Sequence, residues 1–193
     1  MCFHKKKDKL PCEQRWERIF GKELPWRNIW RLIRLSKASP RAKQLHFKVL
    51  HNTIFTENKL WLMKCSDGIC RCCKDDRETI EHLFWTCPNA FKVWKLILPI
   101  VETLMINLCE TDMGNPESYI LLGMYSKPWK SRIINTLLIE TKWYIWKSRN
   151  EIKFDNKRAL PEQIASKIKA SVRDQLRYSD ISLFQTFDKL IDH

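Results

Sequence analysis

Four cysteines and one histidine fall within residues 70–87, CRCCKDDRETIEHLFWTC. Cys70 and Cys73 form a C-x2-C pair, eight residues then lead to His82, and four more lie between His82 and Cys87. Two cysteines three apart can face one ion across a tight turn whose backbone N–H groups stabilise the thiolates. The spacing therefore predicts a zinc site built from Cys70, Cys73, His82 and Cys87. Three sulfurs and one imidazole complete a tetrahedron without an open position, which predicts one structural Zn2+ rather than a catalytic one. A redox C-x-x-C would want a thioredoxin-like strand context and would leave His82 and Cys87 unexplained. Cys72 lies between the pair and Cys65 stands five residues before Cys70, so spacing alone keeps both open as ligands.

The second half of the donor set needs a local device. In a continuous α-helix, residues five apart differ in direction by about 140°, so His82 and Cys87 would diverge. A short helix in DRETIEHLFWTCP, starting at Asp76 or Thr79, presenting His82 and unwinding before Pro88, would bring Cys87 back. Ile80, Leu83 and Phe84 then face the core. Glu78 and Glu81 stand near enough to accept the imidazole N–H, although a solvated surface is the commoner fate for each.

Around this segment the pattern is helical. PWRNIWRLIRL (25–35) opens on proline and sets Trp26, Ile29, Trp30 and Ile33 on one face, with arginines on the other. KQLHFKVLHN follows with Leu45, Val49 and Asn52, and with Phe47 and Leu50, in helical register, and Thr56 reads as the N-cap of ENKLWLMK. Beyond the cysteines, NAFKVWKLILPIVETLMINL predicts a helix that Pro99 kinks or divides. MGNPESYILLGMYSKPW carries turn formers. The longest amphipathic segment places Ile134, Leu137, Leu138, Thr141, Tyr144 and Ile145 in one stripe. A last helix starts near Pro161, with Ile164, Ile168 and Val172 repeating every four residues. The expected fold is mainly α, a helical domain around a small irregular CCHC zinc knuckle.

Charge is distributed unevenly. The net charge is +13, with 16 Lys and Arg against 5 Asp and Glu over residues 1–64, 5 against 8 over 65–112, and 14 against 9 over 113–193. The cysteine cluster thus sits in an acidic middle between basic flanks of a kind that attract phosphate backbones. No apolar run approaches the roughly 18–20 residues a membrane helix needs. MCFHKKKDKLPC is followed by no apolar segment of the sort a secretory signal carries. The expected setting is intracellular, nucleus or cytoplasm, with no membrane partner. In a reducing compartment eight cysteines point to metal or burial before disulfides. The isolated Cys2, Cys12 and Cys109 read as inert or buried thiols.

FKVLHNTIFTENKLWLMKCSDGICRCCKDDRETIEHLFWTCPNAFKVW (47–94) resembles the zinc-binding domain at the carboxyl end of non-LTR (LINE-type) retrotransposon reverse transcriptases. The F-K-x-L-H helix, the C-x2-C pair, E-T-x-x-H-L-F, the Cys-Pro and the following Trp agree in order and spacing. LPWRNIWRL and LLIETKWYIWKSRNEIKF resemble the flanking segments less sharply, and Cys72 departs from the family pattern. By the resemblance, Cys70, Cys73, His82 and Cys87 occupy the ligand positions. It also implies a division into a basic N-terminal extension (1–24), a helical segment with the zinc-binding domain (25–94) and a helical C-terminal tail (95–193).

The resemblance implies a nucleic-acid-binding module that helps hold template RNA or target DNA in target-primed reverse transcription, with the reverse transcriptase core as a possible partner. Arg27, Arg31, Arg34, Arg41, Lys43 and Lys48 are the expected phosphate-gripping residues, and Trp61, Trp85, Trp143 and Trp146 conceivable stacking platforms that are more often core. No catalytic residue is expected. The one Asp-Asp pair, Asp75-Asp76, lies inside the zinc loop, and no strand offers the third carboxylate of a two-metal polymerase site. The rival reading is a zinc-stabilised protein-interaction scaffold, or a decayed element fragment, without nucleic-acid binding.

Overall fold

The computed structural model describes residues 9–107 and 115–191. Cys2, Cys109 and the first residues of the expected N-terminal extension lie outside them. Helices α1 (Pro11–Phe20), α2 (Trp26–Leu35), α3 (Pro40–Leu50) and α4 (Glu57–Leu62) precede the knuckle, which ends in a π-turn, His82–Thr86. Helices α5 (Pro88–Asn107), α6 (Pro116–Leu122), α7 (Arg132–Asp155), α8 (Pro161–Ser179) and α9 (Ile181–Ile191) follow. Among the described residues there is no strand, only an isolated antiparallel bridge between Ile69 and Arg77. No described helix is long and apolar enough to cross a membrane.

Proline supplies much of the punctuation. Helices α1, α3, α5, α6 and α8 all begin on one, where the missing N–H costs nothing because that position has no intrahelical acceptor. Ser39 and Thr56 cap α3 and α4, accepting from the amides of Ala42 and Lys59. Pro99, by contrast, lies inside α5, which runs unbroken through it rather than dividing.

Helix α7 is central, packing against α2, α3, α5, α8 and the π-turn. Its expected stripe is too narrow, because every residue from Ile133 to Lys142 is buried. A helix buried all round must give its polar groups partners. Those of α7 finish the ends of its neighbours. Asn135 exchanges two hydrogen bonds with the backbone of Met124, and Thr136 accepts from the amide of Lys37 at 2.8 Å. Glu140 accepts from the amide of Ser39, and Lys142 Nζ donates to the carbonyls of Ile120 (2.7 Å) and Leu121 (3.2 Å) at the end of α6. Gly123 closes α6 at φ +90°, and a Cβ there would stand 2.9 Å from Leu32 and Asn135, so the turn requires glycine.

Three elements depart from the sequence reading. Helix α1 lies within the segment read as a basic extension, yet Trp16 is fully buried with its indole N–H on the Leu50 carbonyl, and Glu13 and Glu17 accept from the indoles of Trp30 and Trp26. Helix α6 forms inside the stretch read as turns, because Asn115 caps it and Pro116 begins it. Helix α9 follows the helix expected to be last and buries Phe187 against α8. Phe47, placed in the register of α3, points outward and is about half exposed.

Candidate metal centre

The knuckle begins as a tight loop behind α4. The amide of Glu78 donates to the Gly68 carbonyl, that of Cys70 to Asp76 and that of Lys74 back to Cys70, which winds residues 70–76 into a turn. Lys74 takes the left-handed conformation at φ +63°. Gly68, at φ +82°, lies against Trp61, whose ring is covered on one side by the Arg77 guanidinium 3.9 Å from its centroid. Trp61 therefore serves the loop as packing.

The return limb solves the divergence of His82 and Cys87 in a way the sequence reading did not foresee. Thr79 accepts from the amide of His82 and starts a turn, as expected. The turn then widens instead of unwinding: the amide of Cys87 donates to the carbonyl of His82, five residues back, at 2.8 Å. An i→i+5 bond makes residues five apart nearly one full turn apart, so both side chains emerge on the same side. Pro88 starts α5 directly afterwards.

The ligand atoms of Cys70, Cys73, His82 and Cys87 lie within 4.8 Å of one another. The Cys70 and Cys87 sulfurs are 3.9 Å apart, and the Cys73 sulfur is 3.4 Å from His82 Nε2. A tetrahedral zinc with Zn–S bonds of roughly 2.3 Å has S···S edges of roughly 3.8 Å. The donor set fits one zinc ion in size and softness. Cys70, Cys87 and His82 are buried and Cys73 is half-buried, so four protein atoms can close the shell against water.

Electrostatics divide the sulfurs, although not into ligands and others, since burial pushes the Cys73 thiol up. The neighbouring thiols of Cys70 and Cys72 hold the Cys87 thiol down at about 2 against its burial, and the amides of Ala90 and Asn89 at the start of α5 add to this. Cys70 is also lowered, chiefly by Cys72. Cys72 moves the opposite way, pushed up by Cys70 and Cys87 and by burial. Its sulfur is not one of the four that gather. Instead its carbonyl accepts from Asn89 (2.9 Å) and Arg158 (3.0 Å), tying the loop to α5 and to the α7–α8 connection. Cys65 is exposed and stands outside the cluster. Cys12 is buried, as expected, and burial pushes its thiol up.

The imidazole is oriented by Thr86, whose hydroxyl lies 3.2 Å from Nδ1, with the Asp76 carboxylate at 3.8 Å. This leaves Nε2 facing Cys73. The two glutamates considered for that role are engaged elsewhere. Glu81 pairs with Arg15 of α1. Glu78 is fully buried rather than solvated, and Arg149 of α7 grips both of its oxygens. The same guanidinium reaches Glu57 at 2.6 Å, which also accepts from Lys153, Ser66 and Arg71. Burial opposes ionisation of Glu57, but Lys153, Ser66, Arg71 and Arg149 outweigh it and hold the carboxyl at about 2. This network joins α4, the knuckle and α7. Sequence reasoning missed it because its members lie up to 96 residues apart.

Residues 11–94 match the family model for zinc-binding in reverse transcriptase. The matched segment takes in α1 and ends within α5. No curated protein and no solved structure matches the chain.

The expected phosphate-gripping residues fall into two groups. Arg27, Arg31 and Arg34 project from the exposed face of α2 and line an open concavity with Trp30. Arg41 and Lys48 of α3 line a separate cleft with Trp143 and Trp146 of α7. These five side chains are exposed and make no hydrogen bond or ion pair among the described residues. Lys43 stands apart, half-buried, its ammonium lowered by burial and by Lys37. Trp85 meets Phe91 edge-on.

Proposed function

We propose that Cys70, Cys73, His82 and Cys87 bind one structural zinc ion, and that the chain is a nucleic-acid-binding accessory module from the carboxyl-terminal region of a LINE-type reverse transcriptase. Its role is to help hold template RNA or target DNA during target-primed reverse transcription. When bound, the ion supplies no chemistry beyond cross-linking the knuckle to the start of α5, which fixes the angle between the helices on either side.

The observation that carries this reading is the set of exposed, unpaired cations on α2 and α3, in a chain of net charge +13 that contains a reverse-transcriptase-associated zinc domain. Structural arginines find carboxylates, as Arg149 does. Arg27, Arg31, Arg34, Arg41 and Lys48 have none among the described residues, and phosphates are the ligands that unpaired Arg rows suit best.

The test is titration of zinc-loaded protein with labelled RNA and single-stranded DNA over a range of salt. Log affinity should fall linearly with log salt, by about 0.7 for each phosphate neutralised on a single strand. Zinc-free Cys73→Ser protein should bind more weakly. Affinity indifferent to salt would remove phosphate gripping and leave the protein-interaction scaffold, with the polymerase core as its partner.

A further inference from the structure

The cleft between α3 and α7 has a composition that a phosphate-binding surface does not need. About 350 Å³ in volume, it is floored by Trp143 and Trp146 and flanked by Phe55 from the α3–α4 connection. Arg41, Gln44 and Lys48 stand along its α3 side. That volume is at the low end for a small-ligand site, roughly 300–1,000 Å³.

Its two tryptophans, half-buried against the core, lack the indole hydrogen bonds that four others make. The indole N–H groups of Trp16, Trp26, Trp30 and Trp94 each donate to a carbonyl or a carboxylate. Those of Trp143 and Trp146 have no acceptor among the described residues, and neither is sealed from solvent. The Gln44 side-chain amide, which both donates and accepts, is likewise unengaged and exposed. Phe55 is 55% exposed. The cleft therefore combines aromatic surface, free neutral donors and acceptors, and two free cations at one edge.

We infer that this cleft receives an unpaired nucleotide of single-stranded nucleic acid, its base against Phe55, Trp143 and Trp146, its edge met by Gln44, and its phosphates held by Arg41 and Lys48. The inference rests on the nucleic-acid reading above and goes further by naming strand state and subsite. A duplex turns its bases inward and offers no free π-face, whereas an unpaired base exposes two. Arg149 lies over the Trp146 ring, 5.1 Å from its centroid, and is itself held by Glu57 and Glu78. One wall of the cleft is thereby fixed through the same carboxylates that brace the knuckle.

The experiment uses the zinc-loaded full chain and fluorescein-labelled oligo(dT), oligo(rU) and a duplex of equal length, read by anisotropy at several salt concentrations. Wild type should prefer single strands to duplex. Phe55→Ala should weaken single-strand binding about tenfold while leaving duplex affinity and the salt slope unchanged. Arg41→Ala with Lys48→Ala should lower the slope for single strands instead. Trp143→Leu, with zinc content and melting temperature as folding controls, should repeat the Phe55 result. Salt-dependent binding by wild type without preference for single strands, and unchanged in Phe55→Ala and Trp143→Leu, would overturn this inference and leave the broader reading intact. Absence of salt-dependent binding to any probe would overturn both. The dT and rU arms separate DNA from RNA as the source of the nucleotide.

Discussion

Arg149 and Glu78, 71 residues apart in sequence, meet in a buried two-pronged ion pair with Nη2 2.6 Å from Oε1 and Nε 3.1 Å from Oε2. Removing one partner of such a pair leaves an uncompensated charge in the interior. Arg149→Met should destabilise the zinc-loaded protein by about 3–5 kcal/mol in denaturant unfolding. Losing both partners should cost less than the sum, so a double change with Glu78→Met gives a coupling energy. An Arg149→Met protein as stable as wild type would show the pair to be energetically idle.

Cys73 and Cys72 are adjacent but face different fates. Cys73→Ser should abolish stoichiometric zinc binding and with it cooperative folding. Cys72→Ser should retain one zinc per chain, because that sulfur lies outside the gathered four and the residue's tie to Asn89 and Arg158 runs through its carbonyl. Equal zinc loss in both variants, measured by metal analysis after dialysis, would rule out the four-residue assignment.

Thr86 orients the imidazole. Thr86→Val keeps the β-branched shape and removes the hydroxyl beside Nδ1, and zinc affinity should fall about 10- to 100-fold in competition with a chelator. Wild-type affinity would mean that the π-turn backbone alone aims His82.

His46 of α3 is wholly buried, and among the described residues neither ring nitrogen makes a well-formed hydrogen bond, the Leu122 backbone offering its charged form only weak support. Burial, and then the nearby Lys142 side chain, itself lowered by burial, push its imidazole well below the ordinary value of 6.5. The folded protein thus refuses a proton that the unfolded chain accepts. Its contribution to stability is complete above pH 6.5 and is lost as pH falls below that value toward the folded pKa. His46→Leu should therefore gain in melting temperature relative to wild type between pH 7.5 and 5.5. Because both proteins release zinc in acid, the difference between them is the readout, and parallel curves would contradict the assignment.

What the sequence disclosed about this fold was local. The C-x2-C pair, the later His and Cys, the cap at Thr56 and the four-residue repeat of Ile164, Ile168 and Val172 act within a turn or two of themselves. What it hid depends on partners far along the chain. Glu78 reads as a surface acid until Arg149 is placed opposite it. Glu140 and Lys142 fall outside the apolar stripe read for α7, and their burial follows only from the ends of α3 and α6 lying against them. The π-turn lay between these cases: its necessity was legible from the five-residue step, but a wide turn and a frayed end satisfy that step equally in sequence.

The bracing of the cage from outside the matched segment bears on how the domain can be cut. A fragment ending at Trp94 would contain all four proposed zinc ligands, yet Glu57 and Glu78 would face the space vacated by α7, and the Cys72 carbonyl would lose Arg158. Glu78, stripped of its cation, and Glu57, left with Arg71 alone, draw water into the wall beside the site. The smallest piece able to keep its metal dry thus runs well past the boundary that similarity alone would draw, through the connection that carries Arg158.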